Sequence, residues 1–142
     1  MEFLSHSTEE TENFARQFAS GISAPCVICL YGDLGAGKTA FTRGFARHFG
    51  IEKGVSSPTF IIMHCYNGSE TINHYDLYRL TDYDELIDIG FEEQIESGIS
   101  LIEWPDAFTD FLPNNRVEVR ISRTADDDGA RLIRITDKRK DM

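Results

Sequence analysis

The run Gly32-Asp33-Leu34-Gly35-Ala36-Gly37-Lys38-Thr39 fits the pattern G-x-x-x-x-G-K-[ST] at every fixed position, and each fixed residue type has a task in holding a polyphosphate. Glycines let the backbone wrap anionic oxygens with its N–H groups, and a helix beginning at the lysine adds about half a unit of positive charge. The Lys38 ammonium can bridge the β- and γ-phosphates of a nucleoside triphosphate. The Thr39 hydroxyl can ligate Mg2+, an ion that takes few protein ligands because it keeps several of its waters. The expected nucleotide contacts are therefore Asp33, Leu34, Gly35, Ala36, Gly37, Lys38, Thr39 and Ala40, with ATP and Mg2+ as the expected ligands.

A Mg2+ site beside such a loop needs a carboxylate at the end of a neighbouring strand. The segment Ile99-Ser100-Leu101-Ile102-Glu103 is apolar and ends in one, which makes Glu103 the metal candidate, acting directly or through a bound water. Asp76 is its rival. It lies within Ile72-Asn73-His74-Tyr75-Asp76-Leu77-Tyr78, where an unpaired charge would be expensive to bury. It could orient an attacking water, bind the metal, or pair structurally with Arg79. Ser57-Pro58-Thr59 follows the expected helix, where a threonine could sense a γ-phosphate, although Pro58 serves equally well as a loop former. His74, Tyr75 and Tyr78 suit core or hairpin packing, and Trp104 is either a packed aromatic or a wall of the nucleotide pocket.

The elements that must position these groups are legible from periodicity. Ser7 and Glu10 have capping-box spacing, and Phe14, Ala15, Phe18 and Ala19 share a helical face, so a helix is predicted over roughly 8–20. The apolar run Cys26 to Tyr31 predicts a strand feeding directly into Gly32, and Phe41, Phe45 and Phe49 then recur every four residues as on a helix. Strands over Phe60 to Tyr66 and Thr71 to Tyr78 flank the hairpin signal Asn67-Gly68. A polar helical stretch from Tyr83 to Ile95 is interrupted at Gly90. Arg116 to Ser122 and Ala130 to Thr136 alternate around an acidic turn and predict a terminal hairpin. Together these elements predict an α/β three-layer P-loop NTPase fold with a mixed, mostly parallel sheet, its ligand at the carboxyl ends of the strands. Residues 1–142 are expected to form one domain, with 137–142 a polar tail.

Composition narrows the choice. Among 142 residues, 14 basic side chains face 24 acidic ones for a net charge of −10, which opposes extended binding along a phosphate backbone. Any contact with RNA is expected to be indirect. No stretch reaches the roughly 18 apolar residues of a membrane span and the start lacks signal-peptide order, so a cytoplasmic protein without membrane contact is expected. Cys26 and Cys29 spell C-x-x-C, but residues three apart on a strand face opposite ways, which argues against joint metal or redox use.

The ordered set Gly32 to Thr39, Ser57-Pro58-Thr59-Phe60, His74-Tyr75-Asp76-Leu77-Tyr78-Arg79-Leu80 and Ile102-Glu103-Trp104-Pro105 resembles the TsaE family in both sequence and spacing. The resemblance spans about residues 5 to 136. It implies an ATPase that works with the proteins TsaB and TsaD, the latter placing a threonylcarbamoyl group on adenosine beside the anticodon, and that meets tRNA only through this assembly. It further implies that Lys38 and the loop amides bind phosphate, Thr39 and Glu103 hold Mg2+, and Asp76 supports hydrolysis. Thr59 would sense the γ-phosphate, Trp104 would lie near the nucleotide, and the segment Ser7 to Thr11 would border the adenine. Two other readings share the loop. A small-molecule kinase would need an arginine-bearing lid, yet Tyr83 to Ser97 holds no Arg or Lys. A nucleotide-gated binding module would hydrolyse little until partners bind. No N-K-x-D motif supports guanine recognition.

Overall fold

The computed structural model describes residues 1–33, 35–58 and 62–139. Seven strands, β1 (Glu2–Ser5), β2 (Cys26–Tyr31), β3 (Met63–Asn67), β4 (Thr71–Asp76), β5 (Ile99–Glu103), β6 (Val117–Arg123) and β7 (Arg131–Asp137), form one sheet in the order β1-β7-β6-β2-β5-β4-β3. The central strands β6, β2, β5 and β4 run parallel. Antiparallel pairs lie outside them, β3 on β4 at one edge and β7 and β1 at the other. The sheet is thus mixed and parallel at its centre, where apolar strands covered on both faces belong.

Helices α1 (Thr8–Ala19) and α2 (Lys38–His48) cover one face, and the short helices α3 (Asp84–Asp88) and α4 (Phe91–Gln94) with the 3-10 helix Asp106–Phe111 lie against the other. β2 is buried throughout and serves both layers, with Cys26, Ile28 and Leu30 toward α1 and α2 and Val27, Cys29 and Tyr31 toward the other side. The two cysteines therefore face opposite ways, and burial pushes the Cys29 thiol up to about 12. They act as small apolar side chains.

Helix α1 starts as its sequence predicts: the Ser7 hydroxyl accepts from Glu10 N, while the Glu10 carboxylate accepts from His6 N. Phe18 packs on Phe41 and Phe45 of α2 at 6.1 and 6.2 Å between ring centres. The helices approach so closely at Gly44 that a Cβ there would lie 2.1 Å from the Glu12 carbonyl oxygen. Glu12 binds Arg43 and Arg47 of α2 across the same contact. Two strand boundaries differ from expectation by two residues or more, the first of them beside Phe60 and Ile61, which lie outside the described residues. The first hairpin strand begins at Met63, after Ile62 takes a left-handed conformation (φ 73°). The second ends at Asp76, where Leu77 N turns to the Glu103 carbonyl and Tyr78 N to the Asp76 carboxylate. β1 was not predicted; it is a four-residue edge strand held by β7.

Candidate functional site

The phosphate loop leaves the end of β2 and enters α2 through Gly37, whose φ of 114° is left-handed and disfavours any side chain. The Arg131 guanidinium of β7 donates to the carbonyls of Ala36 (3.0 Å) and Gly35 (3.4 Å). The loop is thus anchored by its carbonyls from β7, through a residue that lines a cavity adjoining the cleft described next, a role no local pattern at Arg131 announces.

That cleft, about 420 Å3, gathers Gly35, Gly37, Lys38, Thr39, Ala40, Asp76, Glu103 and Trp104 of the expected residues, and adds Ser57, Tyr78 and Arg79. Ala36 lies on an adjoining cavity, and Asp33 lines a groove on the other side of the loop. Leu34 and Thr59 lie outside the described residues. A larger hollow of about 530 Å3 beside α1, including Phe3, Phe14 and His48, contains none of the residues expected to bind phosphate or metal, although Glu10 of the segment Ser7 to Thr11 lines it.

Sheet register brings the two acids together. Asp76 ends β4 and Glu103 ends β5, the strands are parallel neighbours, and these two residues are register partners. Leu30 of β2 pairs with Glu103 on the other side, so both acids sit beside the exit of β2 into the phosphate loop. Both are nearly inaccessible, at 4 % and 3 % exposure. Burying two carboxylates requires compensation. Asp76 accepts hydrogen bonds from the Ser57 hydroxyl and from Tyr78 N, each at 3.0 Å. Glu103 meets His74 Nε2 at 2.5 Å.

Lys38 supplies the opposite charge. Its Nζ donates to the Gly32 carbonyl at 2.5 Å and lies 3.6 Å from the centre of the Trp104 ring. Burial pulls its pKa down, while Glu103, Asp76, Asp106 and Asp33 pull it up; burial prevails and the net shift is downward. Trp104 reaches this place by adopting a left-handed backbone (φ 56°), which costs a non-glycine residue on the order of 1–3 kcal/mol. Tyr78 packs against its ring at 4.9 Å. A second cavity of about 310 Å3 continues past Gly35, Gly37 and Ala40 to His6, Ser7, Thr8 and Thr11, so the segment expected near the adenine does border the loop.

The donor set fits a nucleotide with Mg2+. Among the described residues no group of three or more His, Cys, Asp or Glu side chains converges as a self-sufficient metal cage. One hydroxyl and one or two carboxylates near a phosphate loop are what an ion that retains its waters requires. The sequence assigns His74 only to packing and Tyr66 only to a strand, yet His74 meets Glu103 and Tyr66 meets His74. The spacing of His74 and Asp76 carried a usable signal, because residues two apart on a strand share a face.

The model of the family described as threonylcarbamoyl adenosine biosynthesis protein TsaE matches residues 5–133. The tRNA threonylcarbamoyladenosine biosynthesis protein TsaE of Rickettsia bellii (strain RML369-C) is 38 % identical over 135 residues, covering 94 % of this chain and 92 % of that protein. Its namesake from Bacillus subtilis (strain 168) is 42 % identical over 122 residues, covering 84 % and 76 %. The crystal structure of YdiB from Bacillus subtilis superposes with a TM-score of 0.80 at 35 % identity, covering 97 % of this chain and 85 % of that one. A family model spanning nearly the whole chain, relatives well above 30 % identity and the shared fold all agree: this chain belongs to the TsaE family.

Proposed function

We propose that this chain is a P-loop ATPase of tRNA threonylcarbamoyladenosine biosynthesis, a single cytoplasmic domain that binds and hydrolyses MgATP to sustain a TsaB–TsaD complex. The observation that carries this reading is the placement of Asp76 and Glu103 as register partners beside a phosphate loop bearing Lys38 and Thr39. In this reading Asp33 through Ala40, Leu34 among them, contact the nucleotide, and the adenine end extends toward Ser7 to Thr11. Thr39 and Glu103 hold Mg2+, which when bound supplies charge withdrawal from the phosphoryl oxygens. Lys38 neutralises β- and γ-phosphate charge from a site already screened from water. Asp76, its carboxylate fixed by Ser57 and Tyr78, orients the attacking water. Thr59 reports the γ-phosphate, and Trp104 walls the site while stacking on Lys38. Contact with tRNA is indirect, in keeping with the net charge of −10.

The test is ATP turnover by the purified chain alone and then with TsaB and TsaD. Slow turnover alone and a clear rise with the partners is the expected result, since partner-dependent ordering is how a P-loop switch gains activity. Phosphate transfer to a small molecule instead of water would establish a kinase. Nucleotide-dependent partner binding without turnover would establish a binding module.

A further inference from the structure

We propose that His74 and Tyr66 are positioning residues: they form a one-way hydrogen-bond relay that ties the Glu103 carboxylate to the backbone of Ser56, so that this acid and residues 56 and 57 are set together. The proposal rests on the site reading above for its catalytic consequence, and on geometry alone for the relay itself.

The ring of His74 is fully buried and both of its nitrogens are engaged, Nε2 with Glu103 Oε2 at 2.5 Å and Nδ1 with the Tyr66 hydroxyl at 3.2 Å. An ionised carboxylate only accepts, so Nε2 must carry the hydrogen, and the relay requires the singly protonated ring, whose Nδ1 is an acceptor. Tyr66 must therefore donate to His74. Its single proton has two competing acceptors, the Ser56 carbonyl at 3.3 Å and His64 Nδ1 at 3.1 Å, the latter on a half-buried ring free to take its other tautomer. Ser56 is exposed and water can satisfy its carbonyl, whereas nothing from solvent reaches Nδ1 of a fully buried ring. The cost of an unpaired buried acceptor decides for His74.

With its proton committed, the Tyr66 oxygen can only accept: Ser56 N–H donates to it at 3.4 Å, and His64 Nδ1, at 3.1 Å, donates in its Nδ1–H tautomer. The bonds then point one way, from Ser56 N–H to Tyr66, from Tyr66 O–H to His74, and from His74 N–H to Glu103, an order in which each bond polarises the next. The neighbouring residue completes the arrangement, for the Ser57 hydroxyl donates to Asp76 Oδ2 at 3.0 Å. Residues 56 and 57 thus hold both carboxylates, one directly and one through two rings. A side chain that merely filled the core at position 74 would need neither bond.

The tautomer of His74 is read by 15N NMR on the nucleotide-free wild-type chain, with no variant required. The Nε2–H form is expected, and either the Nδ1–H form or a doubly protonated ring overturns the relay. Two variants cut the link at one point: Tyr66→Phe removes only the hydroxyl, and His74→Gln keeps a donor toward Glu103 while its amide oxygen does not take the place of Nδ1. Each is expected to speed exchange of the Ser56 amide and to raise the Mg2+ concentration for half-maximal ATP turnover about tenfold, the usual penalty for losing a partner of a metal ligand. ATP affinity without Mg2+ should change less than about twofold, and the double variant should be no worse than either single one. Unchanged Ser56 exchange and Mg2+ dependence in folded Tyr66→Phe would overturn the proposal. If the wild type hydrolyses no ATP even with partners, the ATPase reading fails, while the tautomer and amide exchange still decide the relay.

Discussion

Replacing Lys38 with alanine removes the one ammonium that, among the described residues, lines the cleft with Asp76 and Glu103. At 5 % exposure the side chain is poorly screened. A unit charge about 4 Å from a phosphate oxygen is worth roughly 4 kcal/mol at an effective dielectric constant near 20. Engaging phosphate exchanges the Gly32 carbonyl bond, worth about 1 kcal/mol net. The remaining loss is about 3 kcal/mol, which weakens MgATP binding roughly 100- to 200-fold. With the ammonium gone, the charge of the two buried carboxylates in the cleft is less offset as well, so the error lies on the side of a larger loss. Isothermal titration calorimetry at fixed ionic strength measures the effect, with circular dichroism to verify that the variant is folded. A folded Lys38→Ala variant whose Kd stays within about fivefold of wild type would falsify the phosphate-loop reading at its root, since the 1.4 kcal/mol per decade relation leaves no room for the calculated term.

Glu103→Ala is expected to weaken Mg2+-dependent turnover while sparing metal-free ATP binding, and Asp76→Ala to slow turnover with MgATP still bound; equal Mg2+ titrations of turnover for both variants and wild type would return the two acids to structural roles. Gly44→Ala forces a methyl against Glu12 backbone atoms at 2.1 and 2.5 Å. The overpacking should cost about 1–3 kcal/mol and lower Tm by roughly 3–10 °C; an unchanged calorimetric Tm contradicts the α1–α2 contact. At Glu118, burial pushes the carboxyl pKa up, but hydrogen bonds from Arg116 and Lys138 outweigh it and hold the group below its ordinary 4.5. That stabilisation is complete above 4.5 and is lost as pH falls through the depressed folded value. Glu118→Gln should therefore show a flatter fall of Tm with acidification in that window, and an identical slope refutes the assignment.

Local chemistry was written plainly in the chain. The phosphate loop, the Ser7 cap, the Asn67-Gly68 hairpin and the apolar strand ending at Glu103 each depend on residues within a few positions of one another, where backbone preference and side-chain periodicity act directly. The family likeness followed from the order of those same local motifs. Only tertiary structure decided that Asp76 lies opposite Glu103, because parallel register is fixed by how two buried strands share the faces of one sheet and not by anything near either residue. The same holds for Arg131, which grips the carbonyls of Gly35 and Ala36 from β7. It holds for β1, whose Glu2 to Ser5 cannot persist as a strand without the edge that Arg131 to Arg134 offers. His74 looks like a core aromatic until the fold buries it between Tyr66 and Glu103, since a histidine's role is set by what its two nitrogens meet.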